Sequence, residues 1–341
     1  MAAVAAPLAV LALSVAALAA DPRPSGQGST VTTNPAPTAE QVQSLIARMV
    51  ENQHRNDRAI EEYERVEHVV SRKDGENSEV VADRTERVLP SGTGTMRLQT
   101  AQSSPPISPE VQRRQLQYAV SALDRFLHPN DHMKQELAKF EKRRRDHSEL
   151  VDAAAKAFRI TWAGRETRGS RTLVKLLLDP DPNYRPTSHL AATFQHVHAV
   201  LWEDESQAQM VRLEAQITSD ITFGGGIVGK VYNGGHFVME HSEVAPGVWL
   251  PTLYTYDVDG RRFLLGFGIH ERTEVTHYRH VGPPSQSIEL IRGELNNLTA
   301  ETPQAVNGRR VEGSSARARG LLLGWTRVCG NSTPTPCSAH L

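Results

Sequence analysis

Residues 210–217 read MVRLEAQI, and their period decides the fold. Val211, Leu213, Ala215 and Ile217 alternate with polar neighbours. A period of two belongs to a strand with one apolar and one wetter face, as in an antiparallel sheet. The same alternation recurs in RTLVKLLL (171–178), with Thr172, Val174, Leu176 and Leu178 on one side, and in FLLGFGI (263–269), with Phe263, Leu265, Phe267 and Ile269. The separators DPDPNYRP, EDES, NGG, APG and DVDG have turn chemistry. The expectation is one long meandering sheet with helices gathered on one side, an α+β arrangement.

Working toward the N-terminus, the period becomes helical. Thr38 and Gln41 form a capping box, and Val42, Leu45, Ile46, Met49 and Val50 share one face of the helix that follows. YERVEHVV and VVADRTERVL, separated by KDGENS, predict a hairpin. A second helix starts at Ser108, with Pro109 at its first turn. A charged helical stretch continues beyond it, and the insert spans about residues 107–157. Its EKRRR run (141–145) is interleaved with Glu136, Glu141, Asp146 and Glu149, which marks a solvated helix face rather than a nucleic-acid patch.

The ends differ in composition. PLAVLALSVAALAADP (7–22) ends in Ala17-Leu18-Ala19, so residues 1–19 read as a signal peptide cut before Ala20. The start lacks Lys or Arg, which leaves an Ala-rich segment that stays on a non-secreted chain as the alternative. Residues 20–37 form a flexible lead rich in Pro, Gly, Ser and Thr. Residues 38–283 are one domain. From 284 to 341 the pattern weakens to a mostly disordered tail in which SIELIRGELNNL could form one short helix. Cys329 and Cys337, the two cysteines, could close a small disulfide loop in an exported protein or remain free thiols.

The chain has 341 residues, and a net charge of -1 argues against a dedicated nucleic-acid binder. DITFGGGIVGK (220–230) holds Gly224, Gly229 and Lys230 at P-loop spacing. Val231 stands where the metal-binding Ser or Thr belongs, and the next segment is strand-like, so no helix N-terminus is available to hold phosphate. The glycines instead suit a tight bend between two strands.

FRITWAGRETRGSRTLVKLLLDPDPNYRP (158–186) and the stretch from His198 to Arg261 resemble a family of exported bacterial proteins abundant in Acidobacteria. That family is similar to the outer-membrane lipoprotein carriers of the LolA and LolB type. The resemblance covers about residues 40–280 and is most specific in LWEDESQAQMVRLEA and in the segment ending at Trp249, Leu250, Pro251 and Thr252. It implies a strongly curved antiparallel sheet, an incomplete β-barrel, closed over by helices around an apolar cavity for acyl chains. It further implies a periplasmic or cell-envelope location, no enzymatic activity and no cofactor. The charged insert and the C-terminal tail depart from the carriers.

Candidate cavity residues are Leu176, Val211, Leu213, Phe237, Met239, Leu253, Phe263 and Phe267, beneath a movable amphipathic helix acting as lid. The alternative for each is an ordinary core role, and alternation alone cannot say which sheet face is concave. The expected partners are a hydrophobic ligand or an acylated protein, with membrane-associated proteins in the same pathway and no nucleic acid. An envelope scaffold without an open cavity is the second reading. A metal-dependent hydrolase is the third, resting on His196 and His198 at strand spacing and on His270, His277 and His280. HERTE fails the H-E-x-x-H pattern, because Glu274 stands at the second His position. No G-x-S-x-G elbow occurs. Arg165, Glu166, Arg171, Lys175, Arg212 and Glu214 are expected to pair across strands on a wet face.

Overall fold

A computed structural model describes residues 36–100, 106–263 and 265–300. The expected signal peptide, most of the expected lead, Cys329 and Cys337 lie outside the described residues, as do those beyond residue 300.

The chain begins with helix α1 (Ala39–Ala59). Thr38 and Gln41 cap it reciprocally: Gln41 Oε1 accepts from the Thr38 N–H at 2.8 Å, and Thr38 Oγ1 accepts from the Gln41 N–H at 3.3 Å. This satisfies two of the donors that a helix start leaves open. Strands β1 (Tyr63–Arg72), β2 (Val80–Pro90) and β3 (Thr95–Gln99) follow, with the expected hairpin between the first two. Two helices fill the insert. Helix α2 (Pro109–Leu127) is capped by Ser108, and α3 (Asp131–Ala157) by Asn130.

The meander then runs through β4 (Phe158–Arg168), β5 (Arg171–Pro180), β6 (Val197–Asp204) and β7 (Gln209–Ile217). A small pair, β8 (Ile221–Phe223) and β9 (Gly229–Val231), comes next. The long strands β10 (His236–Ala245), β11 (Val248–Arg262) and β12 (Leu265–His280) complete it. Pairing is antiparallel throughout, in the order β3-β2-β1-β12-β11-β10-β7-β6-β5-β4. The N-terminal hairpin therefore joins the sheet through β12. The two ends of that order, β3 and β4, do not pair with each other, so the sheet is not closed into a barrel.

The glycine stretch joins β8 to β9, which pairs in turn with β11. Gly224, Gly225 and Gly226 all take positive φ, and a Cβ on Gly224 would meet Val228 Cγ2 at 2.4 Å. Only glycine fits that bend. Lys230 pairs with Asp220 at 2.5 Å rather than facing a phosphate cradle.

The sequence places a mostly disordered tail from residue 284 in which SIELIRGELNNL can form one short helix, and the structure has that helix and packs it into a core. Residues Pro284–Ala300 form helix α4, whose Ile288 and Ile291 are each only 2% exposed. They pack with Leu116, Ala119 and Leu123 of α2 and with Leu89, Met96 and Leu98 of β2 and β3. The apolar residues of 284–300 are few, but Ile288, Ile291, Leu295 and Leu298 fall on one face with α2 as partner, while Leu290 stays exposed. The resulting α+β molecule has two helical layers: α1 with α3 beside the β4–β7 half of the sheet, and α2 with α4 at the β2–β3 end.

The charged strand faces pair, in part across strands as expected and in part along one strand or to a turn. Arg212 bonds Glu214 and Glu240, Arg165 meets Glu205 at 2.6 Å, and Arg171 bridges Asp204 and Glu243. Lys175 and Glu166 stand 3.7 Å apart.

Candidate functional site: an apolar chamber beneath two helices

The strand period puts Leu213, Phe237, Met239, Tyr254 and Tyr256 on one face of β7, β10 and β11, in direct cross-strand register. Ile46, Met49 and Val50 of α1 and Leu150, Val151, Ala154 and Ala155 of α3 face them. Between these walls lies a chamber of about 460 Å³, within the roughly 300–1,000 Å³ typical of small-molecule sites. Phe158, Ile160, Leu178, Phe194 and Leu201 complete its apolar surface.

One end of the chamber is polar. Gln53, Asn56, Asp57, His147 and His241 meet there. Gln53 Nε2 donates to Asp57 Oδ1 at 2.7 Å, and His147 Nε2 lies 3.1 Å from Asp57 Oδ2. The Asp57 carboxylate holds the His147 imidazole above its ordinary pKa, against a smaller opposing effect of burial. His241 is the reverse case. Burial pushes its pKa down to about 4, and neither the Asp57 charge nor its bond to the Met210 backbone offsets that.

The candidate residues divide among several places. Leu213, Phe237 and Met239 line the chamber. Leu176 is fully buried in the same core cluster, behind the wall. Val211 does not line it. The β6–β7 register shifts between Trp202 and Glu203, leaving Val211 as the extra residue of a bulge, so Met210 joins Leu213 at the wall instead. Leu253 pairs with Glu240 and Glu274 and borders a separate concavity of about 320 Å³ that also holds Arg212, Val238 and Arg272. Phe267 packs on a separate cluster of Ile217, Ile221, Val231 and Val258. Phe263 lies in the turn after β11 with φ of 54° and is 53% exposed, because β12 starts only at Leu265.

The lid expectation needs correction for the second half of α1. Asn52 Nδ2 donates to the Gln207 and Ala208 carbonyls at 2.8 and 2.7 Å. Asn56 donates to Gln209 Oε1 at 2.9 Å and accepts from the Trp249 N–H at 3.1 Å. Both side chains are buried, so this half of the helix is fastened to the β6–β7 turn and to β11. Sequence reading passed over them because they break the apolar stripe. Their polarity in a helix that must bury that face is the signal that could have found them.

Ser148, His54 and Asp152 form a string that sequence spacing does not reveal. His54 Nε2 lies 2.8 Å from Asp152 Oδ1, and Ser148 Oγ lies 3.4 Å from His54 Nδ1. Residues 131–157 are helical throughout, so the backbone N–H groups around Ser148 are spent in the helix, and none is free to hold an oxyanion. The string ties α1 to α3. The histidines considered for a metal are dispersed among other partners: His196 to Ser219, His198 to Asp179, His270 to Asp257, His277 to Thr276 and His280 to Glu62. Among the described residues, no group of three or more His, Cys, Asp or Glu could hold a metal ion.

The fold and site define a class: an α+β protein whose open antiparallel sheet, with two helices, walls an apolar chamber. No family model and no curated protein matches the chain. Two solved structures are similar to it at a low level. A DUF1329 family protein from Desulfovibrio piger has 10% identity and a TM-score of 0.25, covering 70% of this chain and 93% of that one. A domain from Vibrio parahaemolyticus, described as outer membrane lipoprotein-sorting, has 9% identity and a TM-score of 0.24, covering 69% and 92%. No described helix is long and apolar enough to cross a membrane.

Proposed function

We propose that the protein is a cell-envelope carrier or binding protein that holds the acyl chain of a lipid or an acylated protein in the chamber under α1 and α3. The observation that carries this reading is the chamber itself, about 460 Å³ with an overwhelmingly apolar lining. Burying a methylene group there is worth about 0.8 kcal/mol, so a chain of ordinary length gains affinity from its tail alone. The polar end gives the chamber a direction, with the chain terminus among Leu201, Leu213 and Phe237 and the polar end of the ligand toward Asp57 and His147. On this reading the protein transfers a ligand and catalyses no reaction. It needs no cofactor, and its partners are the donors and acceptors of that ligand in the envelope.

The test is binding of the neutral fluorescent probe N-phenyl-1-naphthylamine. The full chain is expected to enhance its emission. Ala155→Phe, which fills the chamber from α3, is expected to abolish the enhancement while circular dichroism and the melting temperature stay close to those of the parent. Equal enhancement by the parent and the filled variant would place the probe elsewhere and remove the support for a carrier.

A further inference from the structure

The arginine run of α3 is solvated, as expected, but it also borders a concavity. Arg143, Arg144 and Arg145 border a second groove, of about 580 Å³, across which stand Arg58 of α1 and Arg65 of β1. This groove and the apolar chamber share Asp57, Ile60 and His147 as a common wall. The groove therefore lies directly outside the polar end of the chamber.

Its charges are unevenly matched. Five arginines face three carboxylates, those of Asp57, Glu61 and Glu141. Arg144 is satisfied by Glu61 at 3.0 Å and Glu141 at 3.1 Å, and Arg65 by Glu67 at 2.8 Å. Asp57 is occupied by Gln53 and His147. Among the described residues, Arg58, Arg143 and Arg145 have no carboxylate within 4 Å; Arg143 reaches the Thr93 carbonyl at 3.3 Å and lies over the Phe140 ring. Arg58 and Arg143 have only the more distant carboxylates of Glu61 and Glu136 as counter-charges. Three guanidiniums without a close ion pair around one concavity make a site for an anion, since arginine holds carboxylate and phosphate oxygens in matched geometry.

We infer that the groove is the head-group subsite of the chamber, and that the ligand is an amphiphile with an acyl chain and an anionic head. This rests on the carrier reading and narrows it. The chain enters beside the Asp57–His147 pair, and a carboxylate or phosphate stays outside between Arg58 and the Arg143–Arg145 turn of α3. A cationic head is repelled, and a neutral head gains nothing from the groove beyond the chain's own burial.

The experiment is displacement of N-phenyl-1-naphthylamine from the full chain, below micellar concentration and at low salt, by four amphiphiles of equal chain length. These are dodecyl phosphate, dodecanoate, dodecyl maltoside and dodecyltrimethylammonium. The anions are expected to displace the probe at about tenfold lower concentration than the maltoside, the size of effect given by one or two charge-assisted hydrogen bonds. Their order distinguishes a phospholipid head from a free fatty acid. The advantage is expected to shrink to within about threefold in Arg58→Ala/Arg143→Ala/Arg145→Ala, and to weaken as salt rises. Arg125→Ala, outside the groove on α2, is the control and should keep the ratio. Equal displacement by all four heads overturns the head-group assignment alone. Displacement by none of them sinks the carrier reading together with this inference.

Discussion

Glu203 is the most consequential single residue outside the site. It is fully buried on β6, and neither carboxylate oxygen has a hydrogen-bond partner. Burial raises its pKa to about 9, against the pull of Arg48 across from it and with a small push from Asp204. The folded state thus keeps its proton up to about pH 9, whereas the unfolded chain releases it near 4.5. Stability from this group is complete below pH 4.5 and falls as pH rises toward 9. Glu203→Gln is expected to match the parent at pH 4 and to exceed it by roughly 2–4 kcal/mol at pH 7–8 in urea titrations. No gain at high pH would show that the carboxyl finds a partner when ionised. His241 works in the opposite direction. Its folded pKa of about 4 lies below the unfolded value of 6.5, so its contribution is present above pH 6.5 and is lost as pH falls toward 4. His241→Gln is expected to flatten that acid limb. At this scale the sequence was partly legible. Alternation placed Leu213, Phe237 and Met239 correctly on a common face, but it could not register the Val211 bulge or the turn at Phe263, because one extra or missing residue inverts every side chain beyond it.

At the scale of elements, α1 is a fastened cover. Three polar ties bind it to α3 or extend from its C-terminal end: His54–Asp152 at 2.8 Å, His147–Asp57 at 3.1 Å, and Arg144–Glu61 at 3.0 Å. Asn52 and Asn56 bind it to the sheet, while Val42, Leu45 and Ile46 hold its first half by apolar burial alone. The N-terminal half of α1 is therefore the half that yields most easily, while the second half stays fixed beside the Asp57–His147 pair. Asn56→Ala strands buried partners on Gln209 and Trp249 and is expected to cost about 1–3 kcal/mol in thermal or denaturant unfolding. It should also raise hydrogen exchange along the second half of α1 more than in α2. Uniform exchange changes, or none, would deny it the anchoring role. Helix α4 contains the SIELIRGELNNL stretch that the sequence offers as a short helix, but not the sign of its core role. Residues 284–300 contain too few apolar residues to advertise a core element, yet Ile288 and Ile291 seal α2 against β2 and β3. Ile288→Asp is expected to cost at least about 3 kcal/mol, as a charge placed in a closed apolar site does.

For the whole molecule, the open antiparallel sheet was legible because its period of two repeats through most of the strands, and the capped helices were legible from Thr38, Ser108 and Pro109. The chamber was not. A wall built from α1, α3 and six strands is a property of the tertiary arrangement, and core-forming and chamber-lining residues share one composition. Its position under the charged insert also gives the EKRRR run a neighbour that helical periodicity alone does not disclose.

The central claim is that an acyl chain lies in this chamber, and the methionines report on it directly. Met49, Met210 and Met239 line the chamber, whereas Met96 sits in the α2–α4 core and Met133 at the start of α3. The measurement is the ¹³C-methyl methionine NMR spectrum of the full chain, recorded with a fatty acid carrying a nitroxide near its chain terminus. Selective broadening of Met49, Met210 and Met239, with Met96 and Met133 left sharp, is the expected result. Sharp signals from all three chamber methionines under saturating ligand would contradict the account.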